Sequence, residues 1–407
     1  MVTAGRARSA RARRSPLSRA TVLVGVTVGA LVVLGLIMIL SASSVSSFAN
    51  YGSSFMFFKR QVVWAAVGVV AYVTFARVDY RRLRGFGYPV FALSVGLLCA
   101  ALIPGVGVVA GGSARWIGLG PFSFQPSEVA KLALVLLMAD VFARKQERSL
   151  TVAAHCALPL LPVMAILTTL VLLQPDLGTT LLLGAIGMGM LFAAGAPFRY
   201  LVPLLALGAS GAAVAAFAED YRRARIFAFL DPWQDPLLTG YQTIQSLLAL
   251  GSGGWLGVGL GASRQKWMYL PNAHTDFIFA ILGEELGLLG TLAVVGMFAF
   301  LAYLGVHTAR HAPDRFGLLL ASGITIWITV QALVNMGAVT AALPVTGVPL
   351  PLVSFGGTSL VVSLTAMGVL TNIASQGRPS ADSGRDRNRG ARPRTARRTA
   401  DAVPSRA

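Results

Sequence analysis

The chain has 407 residues, 55% of them hydrophobic and only 12% charged, with a mean hydropathy of +0.69. Soluble domains carry about 25% charged residues, so this composition excludes an ordinary soluble enzyme and points to an all-α polytopic integral membrane protein. A formal charge of +18 would suit a nucleic-acid binder, but six arginines lie before residue 20 and nine after residue 375, flanking an apolar body, where they read as membrane-surface and topology signals.

Residues 1–20 form a basic tail, and the apolar run from Thr21 to Leu40 is too long for the roughly 7–15-residue core of a secretory signal, so it is read as a retained first helix. Further apolar runs follow at 61–77, 86–104, 126–143, 153–173, 177–194, 201–218, 277–306, 317–341 and 357–374, each near the roughly 20 residues that cross a bilayer. Ten transmembrane helices over residues 21–375 put both termini on one side. With the termini cytoplasmic, the inner segments hold most of the 34 lysines and arginines, which fixes that orientation. The longest connection, 219–276, is then a large extracytoplasmic loop between helices 7 and 8. Its apolar stretch Tyr241–Leu250 suggests a short helix at the interface, and loops of this length are usually functional. Residues 376–407 are Arg/Ser/Ala/Asp-rich without apolar periodicity and are expected to be a disordered cytoplasmic tail. Cys99 and Cys156 fall inside predicted spans and offer neither a disulfide framework nor metal-ligand spacing.

Polar residues that interrupt such a chain mark working sites, because a charge near hydrocarbon is costly unless it faces protein or water. In YLPNAHTDFIFAILGEELG, 269–287, Asp276 sits at the outer mouth of the eighth helix, where Thr275 or Asp276 could equally serve as its N-cap. Glu284 lies within about 80° of Asp276 on a helical wheel and Glu285 on the opposite face, so these two are read as internal hydrogen-bonding supports. His274 with Asp276 makes at most half a metal site. In GGSARWIGLGPFSFQPSEVAK, 111–131, Glu128 and Lys131 at i and i+3 can pair with each other, and Arg115 stands in the preceding outer loop, where a snorkelling role competes with a ligand-binding one. QPDLGTT, 174–180, places Asp176 at an outer turn. The glycine-rich GSGGWLGVGLG, 251–261, follows no strand and opens no nucleotide-binding helix; it reads as a flexible or re-entrant segment beside Arg264 and Lys266. LPVTGVPLPLVSFGG, 343–357, is irregular backbone of the kind tolerated at membrane depth only under protein or beside a water-filled cavity. All of these features fall on the predicted outer side, and carboxylates beside cations there suit an anionic, partly lipidic ligand.

Taken together, the strings GGSARWIGLGPFSFQPSEVAK, QPDLGTT, GYQTIQSLLALGSGGWLGVGLG, HTDFIFAILGEELG and PVTGVPLPLVSFGGTSL resemble the SEDS family (shape, elongation, division and sporulation; the FtsW, RodA and SpoVE proteins) over about residues 20–375. SASSV, RRARIFAFLDPW and GEELG are similar to its septal, FtsW branch. The resemblance implies a peptidoglycan glycosyltransferase that polymerises lipid II at the outer face of a bacterial cytoplasmic membrane, with a class B penicillin-binding protein, other divisome proteins and membrane lipids as partners. Lipid II flipping and a non-catalytic scaffold role in the divisome are the competing readings. The family's proposed catalytic aspartate corresponds to Asp276. Such a reaction needs a base for the acceptor hydroxyl and positive charge for the departing diphosphate, from Arg115, Lys131, Arg225, Arg264 or Lys266, or from a divalent metal ion. Glu128, Asp176 and His274 carry over as substrate-site positions. Met268, Leu270 and Asn272 stand where some members carry a further glutamate, and Thr346 where some carry lysine.

Overall fold

A computed structural model describes residues 19–110, 113–119, 122–145 and 153–377. The tail before residue 19 and the tail beyond residue 377, for which the sequence predicts basic cytoplasmic segments, lie outside the described residues.

Helices form where the apolar runs predict them. They are α1 (Arg19–Tyr51), α2 (Met56–Arg77), α3 (Gly87–Leu102), α4 (Pro126–Arg144), α5 (Ala153–Leu172), α6 (Leu177–Ala193) and α7 (Phe198–Phe217), then α8 (Asp220–Leu230) and α9 (Tyr241–Gly253) in the long connection, and α10 (Ile278–Arg310), α11 (Arg315–Val339) and α12 (Gly357–Gln376). By length and apolarity, seven candidate membrane spans stand out among the described residues: α1, α2, Tyr80–Leu102, α7, α10, α11 and α12. The helices at the other predicted spans differ for visible reasons. The span of α4 carries Glu128, Lys131, Asp140 and Arg144, and α6 has only 17 residues.

The all-α expectation needs one correction. Residues 107–124, read as a loop, form a three-stranded antiparallel sheet of β1 (Gly107–Ala110), β2 (Ser113–Leu119) and β3 (Phe122–Phe124). Val108 faces Trp116 and Ile117 faces Phe124 across the ladders. Glycines interleave the apolar residues here, which hid the strand pattern but suits short hairpins. The connection 219–276 likewise holds two helices where one was predicted, because α8 begins on the charged string DYRRAR and has no apolar run to announce it.

The core is built by α4, α10, α11 and α12, with α2 laid along α12 and α1 against α10. The chain carries Trp327, Leu134 and Phe142 fully buried in this layer. Between helices in lipid, tight packing and interhelical hydrogen bonds of about 1 kcal/mol each replace the aqueous hydrophobic effect as the cohesive force.

The two ends of the bundle differ. Where α2 runs into the 3₁₀ turn Tyr80–Phe86, charges close on one another. Tyr80 donates to Asp314 at 2.8 Å and Arg81 to the same carboxylate at 2.9 Å, while Asp140 accepts from Arg84 at 3.0 Å and Arg144 at 2.6 Å. Asn372 on α12 bridges Ala76 and Tyr80, so this end is a closed clasp. The opposite end, where α6 and α12 begin and α11 finishes, carries the irregular backbone.

Candidate active site

The segment 344–350, between α11 and α12, is the hub of that end. It meets its neighbours through backbone atoms. Val345 offers its carbonyl to Arg225 of α8 at 3.4 Å. Val348 and Pro349 offer theirs to two amides on one face of α11, Asn335 at 2.8 Å and Gln331 at 2.9 Å. Trp327, Gln331 and Asn335 recur every fourth residue, which stacks them on that face. The rest of the irregular stretch is held as firmly: Ser354 accepts from the Leu350 amide at 2.9 Å, and the Phe355 amide donates to the His274 carbonyl at 3.0 Å. Almost every backbone group of such a loop must find a partner at membrane depth, and this one does so through protein.

Asp276 lies against the hub. The predicted N-cap role does not form: α10 starts at Ile278 with Phe277 in the capping position and no side-chain cap, and the Phe277 amide turns back to Asn272. Asp276 is partly exposed at its surface, yet protein surrounds it on most sides. Gly347, whose positive φ of 73° favours glycine, passes so close that a Cβ there would stand 3.7 Å from Asp276 Oδ2. The Asn335 amide also donates to the Asp276 carbonyl at 2.7 Å. The carboxylate itself accepts no hydrogen bond from the described residues, and burial acts on it more strongly than the charges around it. Burial pushes its pKa up to about 6; Asp176 pushes the same way, while Arg225 and Arg115 oppose them.

The structure sorts the sequence-predicted residues into three groups. Arg115, Asp176, Arg225 and Asp276 come together. Arg115, on β2, donates to the carbonyls of Gln174 at 3.2 Å and Pro175 at 2.6 Å, and its guanidinium stands 3.9 Å from Asp176. It therefore pins the end of α5 rather than snorkelling freely. Asp176 caps α6, accepting from the Thr179 amide at 2.9 Å and its hydroxyl at 2.8 Å. Glu128 and Lys131 make the predicted pair at 2.8 Å, but both are buried in the bundle, with Lys131 also donating to Gln331 at 2.8 Å and lying 5.3 Å from the centre of the Trp327 ring. They brace the α11 face beneath the hub. His274 sits in an apolar wall, its ring 4.7 Å from Phe57 and 5.6 Å from Phe355, and burial lowers its pKa to about 4, so it is neutral near pH 7.

Arg264 and Lys266 belong to the third group, around Glu284 and Glu285. Glu284 accepts from the Ser263 hydroxyl at 2.5 Å and the Arg264 amide at 2.9 Å, and Glu285 accepts from Ser41 of α1 at 2.5 Å. Lys266 is buried, with its ammonium on the Gly261 carbonyl, while the Arg264 side chain is exposed. The helix α10 breaks at Gly287, with φ 67° and ψ −165°, and the glycine-rich segment occupies the break. Val258 and Gly259 donate to the carbonyls of Glu284 and Glu285 at 2.9 and 3.1 Å, and Leu288 and Leu289 return bonds to Gly254 and Trp255. A Cβ on Gly257 would lie 2.2 Å from the Glu285 carbonyl oxygen, so only glycine permits this docking.

No third metal donor joins His274 and Asp276: the histidine ring is packed between aromatics, Asp176 is committed to Thr179, and among the described residues no three His, Cys, Asp or Glu side chains gather as a metal site. The described residues around Asp276 do not fit a protein-held metal ion. Sequence reasoning missed Gln331 and Asn335. Their signal was two amides four residues apart in an otherwise apolar helix.

Residues 21–378 match the cell cycle protein family of FtsW, RodA and SpoVE. Among curated relatives, the chain is 44% identical over 347 residues to a protein of Geobacter metallireducens named probable peptidoglycan glycosyltransferase FtsW, covering 85% of this chain and 92% of that one. It is 42% identical to stage V sporulation protein E of Bacillus subtilis, covering 86% and 95%. Among solved structures, it superposes with a TM-score of 0.71 and 29% identity on a chain from a study of polymerisation and crosslinking by a peptidoglycan synthase complex, covering 87% of this chain and 97% of that chain. The rod shape determining protein RodA of Thermus thermophilus follows with a TM-score of 0.64 and 28% identity, covering 88% and 97%. With that match spanning the whole apolar body, the chain belongs to the cell cycle protein family of FtsW, RodA and SpoVE.

Proposed function

We propose that the chain is a peptidoglycan glycosyltransferase that polymerises lipid II into glycan strands for septal wall synthesis, working at the outer face of a bacterial cytoplasmic membrane. With ten spans and cytoplasmic termini, the Asp276 end faces outward. The observation that carries the chemistry is the Asp276 carboxylate: buried on most sides, without a hydrogen bond from the described residues, and within electrostatic reach of Arg225 and Arg115. A pKa near 6 leaves it mostly ionised at neutral pH yet basic enough to take a proton. It accepts the proton of the acceptor sugar's 4-hydroxyl as that oxygen attacks C1 of the donor. The C1–O bond to the polyprenyl diphosphate breaks with its electron pair on the leaving group, and attack opposite that bond inverts C1. Arg225 and Arg115 supply positive charge on the side where negative charge grows. Asp176, held as the α6 cap, orients Arg115.

A lipid-linked substrate also needs a place for its hydrocarbon. An apolar groove of about 550 Å³ runs between α5, α6 and α7, lined by Met164, Gly184, Gly208 and Ala212, and it reaches Thr180 in the first turn of the helix that Asp176 caps. A chain lying there has its diphosphate end at the charged cluster. The class B penicillin-binding protein that crosslinks the product is the proposed partner, in keeping with the synthase complex among the structural neighbours.

The test is polymer formation from lipid II by the purified chain with that partner, wild type against Asp276→Asn. Loss of polymer with partner binding intact supports the reading, and unchanged polymerisation refutes it. Passage of lipid II across vesicles without its consumption would favour transport, and a phenotype confined to truncated tails would favour a scaffold.

A further inference from the structure

Among the described residues, Asn335 is the side chain that bonds to both Asp276 and the hub segment. It is 2% exposed, and its single amide nitrogen donates to the Asp276 carbonyl at 2.7 Å and to the Val348 carbonyl at 2.8 Å. Both hydrogens of that amide are therefore used, one on each of two chain segments separated by more than seventy residues. The neighbouring amide, Gln331, repeats the device one turn away by donating to Pro349 at 2.9 Å while its oxygen receives Lys131 and Trp327, each at 2.8 Å. The α11 face is thus anchored at its base by the Lys131–Glu128 pair, and its free end is the Asn335 clamp.

We infer that Asn335 is a positioning residue for the reaction: by tying the backbone of Asp276 to the segment that carries Val345 and Gly347, it fixes the carboxylate relative to the Arg225 guanidinium. The inference rests on the reading of Asp276 as the base. Val345, three residues from the clamped carbonyl, is the acceptor for Arg225, and Gly347, one residue away, passes Asp276 so that a Cβ there would stand 3.7 Å from Oδ2. Releasing the clamp removes one hold on the Asp276 backbone and one on the segment that accepts from Arg225. Helical side chains four residues apart share one face, so α11 is a stiff ruler for this spacing, whereas the hub on its own contains two prolines, a glycine and no regular structure from Pro344 to Leu350. A displacement of about 1 Å at a reacting group costs on the order of 10²-fold in rate. Among the described residues, the charged groups that act on Asp276 are Arg225 of α8, Asp176 at the head of α6 and Arg115 of β2, and Arg225 donates to the clamped segment.

The experiment measures kcat and KM for lipid II polymerisation over roughly pH 5–8 with the full chain and its transpeptidase partner, for wild type, Asp276→Asn, Asn335→Leu, Asn335→Ser and Asn335→Gln. Asn335→Leu is expected to lower kcat on the order of 10²-fold while KM stays within about twofold. The acid limb of the pH profile moves down toward an ordinary carboxylate value of about 4, as a loosened Asp276 meets more water. Asn335→Gln, which keeps the amide, recovers part of kcat, and Asn335→Ser, which also removes the double donor, is expected to show the same loss and the same shifted limb should the leucine variant fail to fold. A merely structural role lowers activity in proportion to folded protein and leaves the pH limb in place; that result, or wild-type kcat in Asn335→Leu beside an inactive Asp276→Asn, overturns the positioning role alone. Full activity in Asp276→Asn overturns the base assignment and the inference with it.

Discussion

Two carboxylates at opposite ends of the bundle, Asp314 and Asp276, are treated in opposite ways. At the clasp, Asp140 is enclosed by two arginines and Asp314 by Tyr80, Arg81 and the Gly317 amide, so each negative charge is neutralised where it lies. At the other end Asp276 has cations within electrostatic range but no hydrogen bond from the described residues, and the polar groups around it are spent on backbone carbonyls instead. The titrations follow suit. The hydrogen bonds at Asp314 hold its carboxyl below the usual carboxylate range despite partial burial, whereas burial holds Asp276 above it. Buried charge held away from its ordinary pKa by its surroundings is a common feature of working sites, and of these two carboxylates Asp276 is the one whose burial outweighs its partners.

Asp276→Asn strikes the comparison hardest. It is expected to cut polymerisation about 10²–10⁴-fold, the usual contribution of a general base. It should also raise Tm at neutral pH. A carboxyl whose pKa is raised in the folded state contributes its stability below the unfolded value and loses it as pH rises through about 6, so at pH 7 the ionised group opposes folding. An unchanged or lower Tm would break the contrast between the ends. In the wild type, activity should fall as pH drops through about 6, as the base is protonated. Asp314 runs the other way: its depressed pKa gives stability above the ordinary carboxylate pKa that is lost as pH falls, which thermal unfolding of Asp314→Asn against wild type across acid pH would register.

Lys131→Met tests the brace under the site. It leaves Glu128 buried without its ion-pair partner and is expected to cost about 3–5 kcal/mol in denaturant unfolding, with most of the loss recovered when Glu128→Leu is added. Gly347→Ala is milder: the left-handed backbone resists a side chain by about 1 kcal/mol, and the new methyl lies beside the Asp276 carboxylate, so kcat should fall more than Tm does. Smallest of all, Arg81→Gln removes a half-exposed ion pair from the clasp and should change stability by less than about 1 kcal/mol with kcat untouched. A large kinetic effect there would show that the two ends are coupled.

Long elements were legible because apolar runs of spanning length leave few alternatives, and α11 and α12 begin and end close to where charge and glycine punctuate the sequence. The position of Asp276 just ahead of a long apolar helix was legible too. What escaped was pairing across distance. Lys131 and Gln331 are 200 positions apart, and no local pattern joins them. Arg264 and Lys266 looked like phosphate cations because their string is basic, yet the backbone of one and the side chain of the other are engaged within the Glu284 turn and the glycine-rich segment. Nothing in the local pattern marks Gly287 as a break, which becomes visible only when a second segment arrives to fill it.

That filled break has a consequence for how the molecule would look to deuterium. The amides of Val258 and Gly259 belong to a segment without helix or strand, and its side chains, Trp255 and Leu256 among them, are largely exposed. Yet those amides end on carbonyls of α10, just as the amides of a continuous helix would. Exchange at these two positions should be as slow as within α10 itself, while the Leu260 amide, which donates to none of the described residues, exchanges quickly. The loop and the helix open as a single cooperative unit, and a lesion in either would be read out in the protection of both.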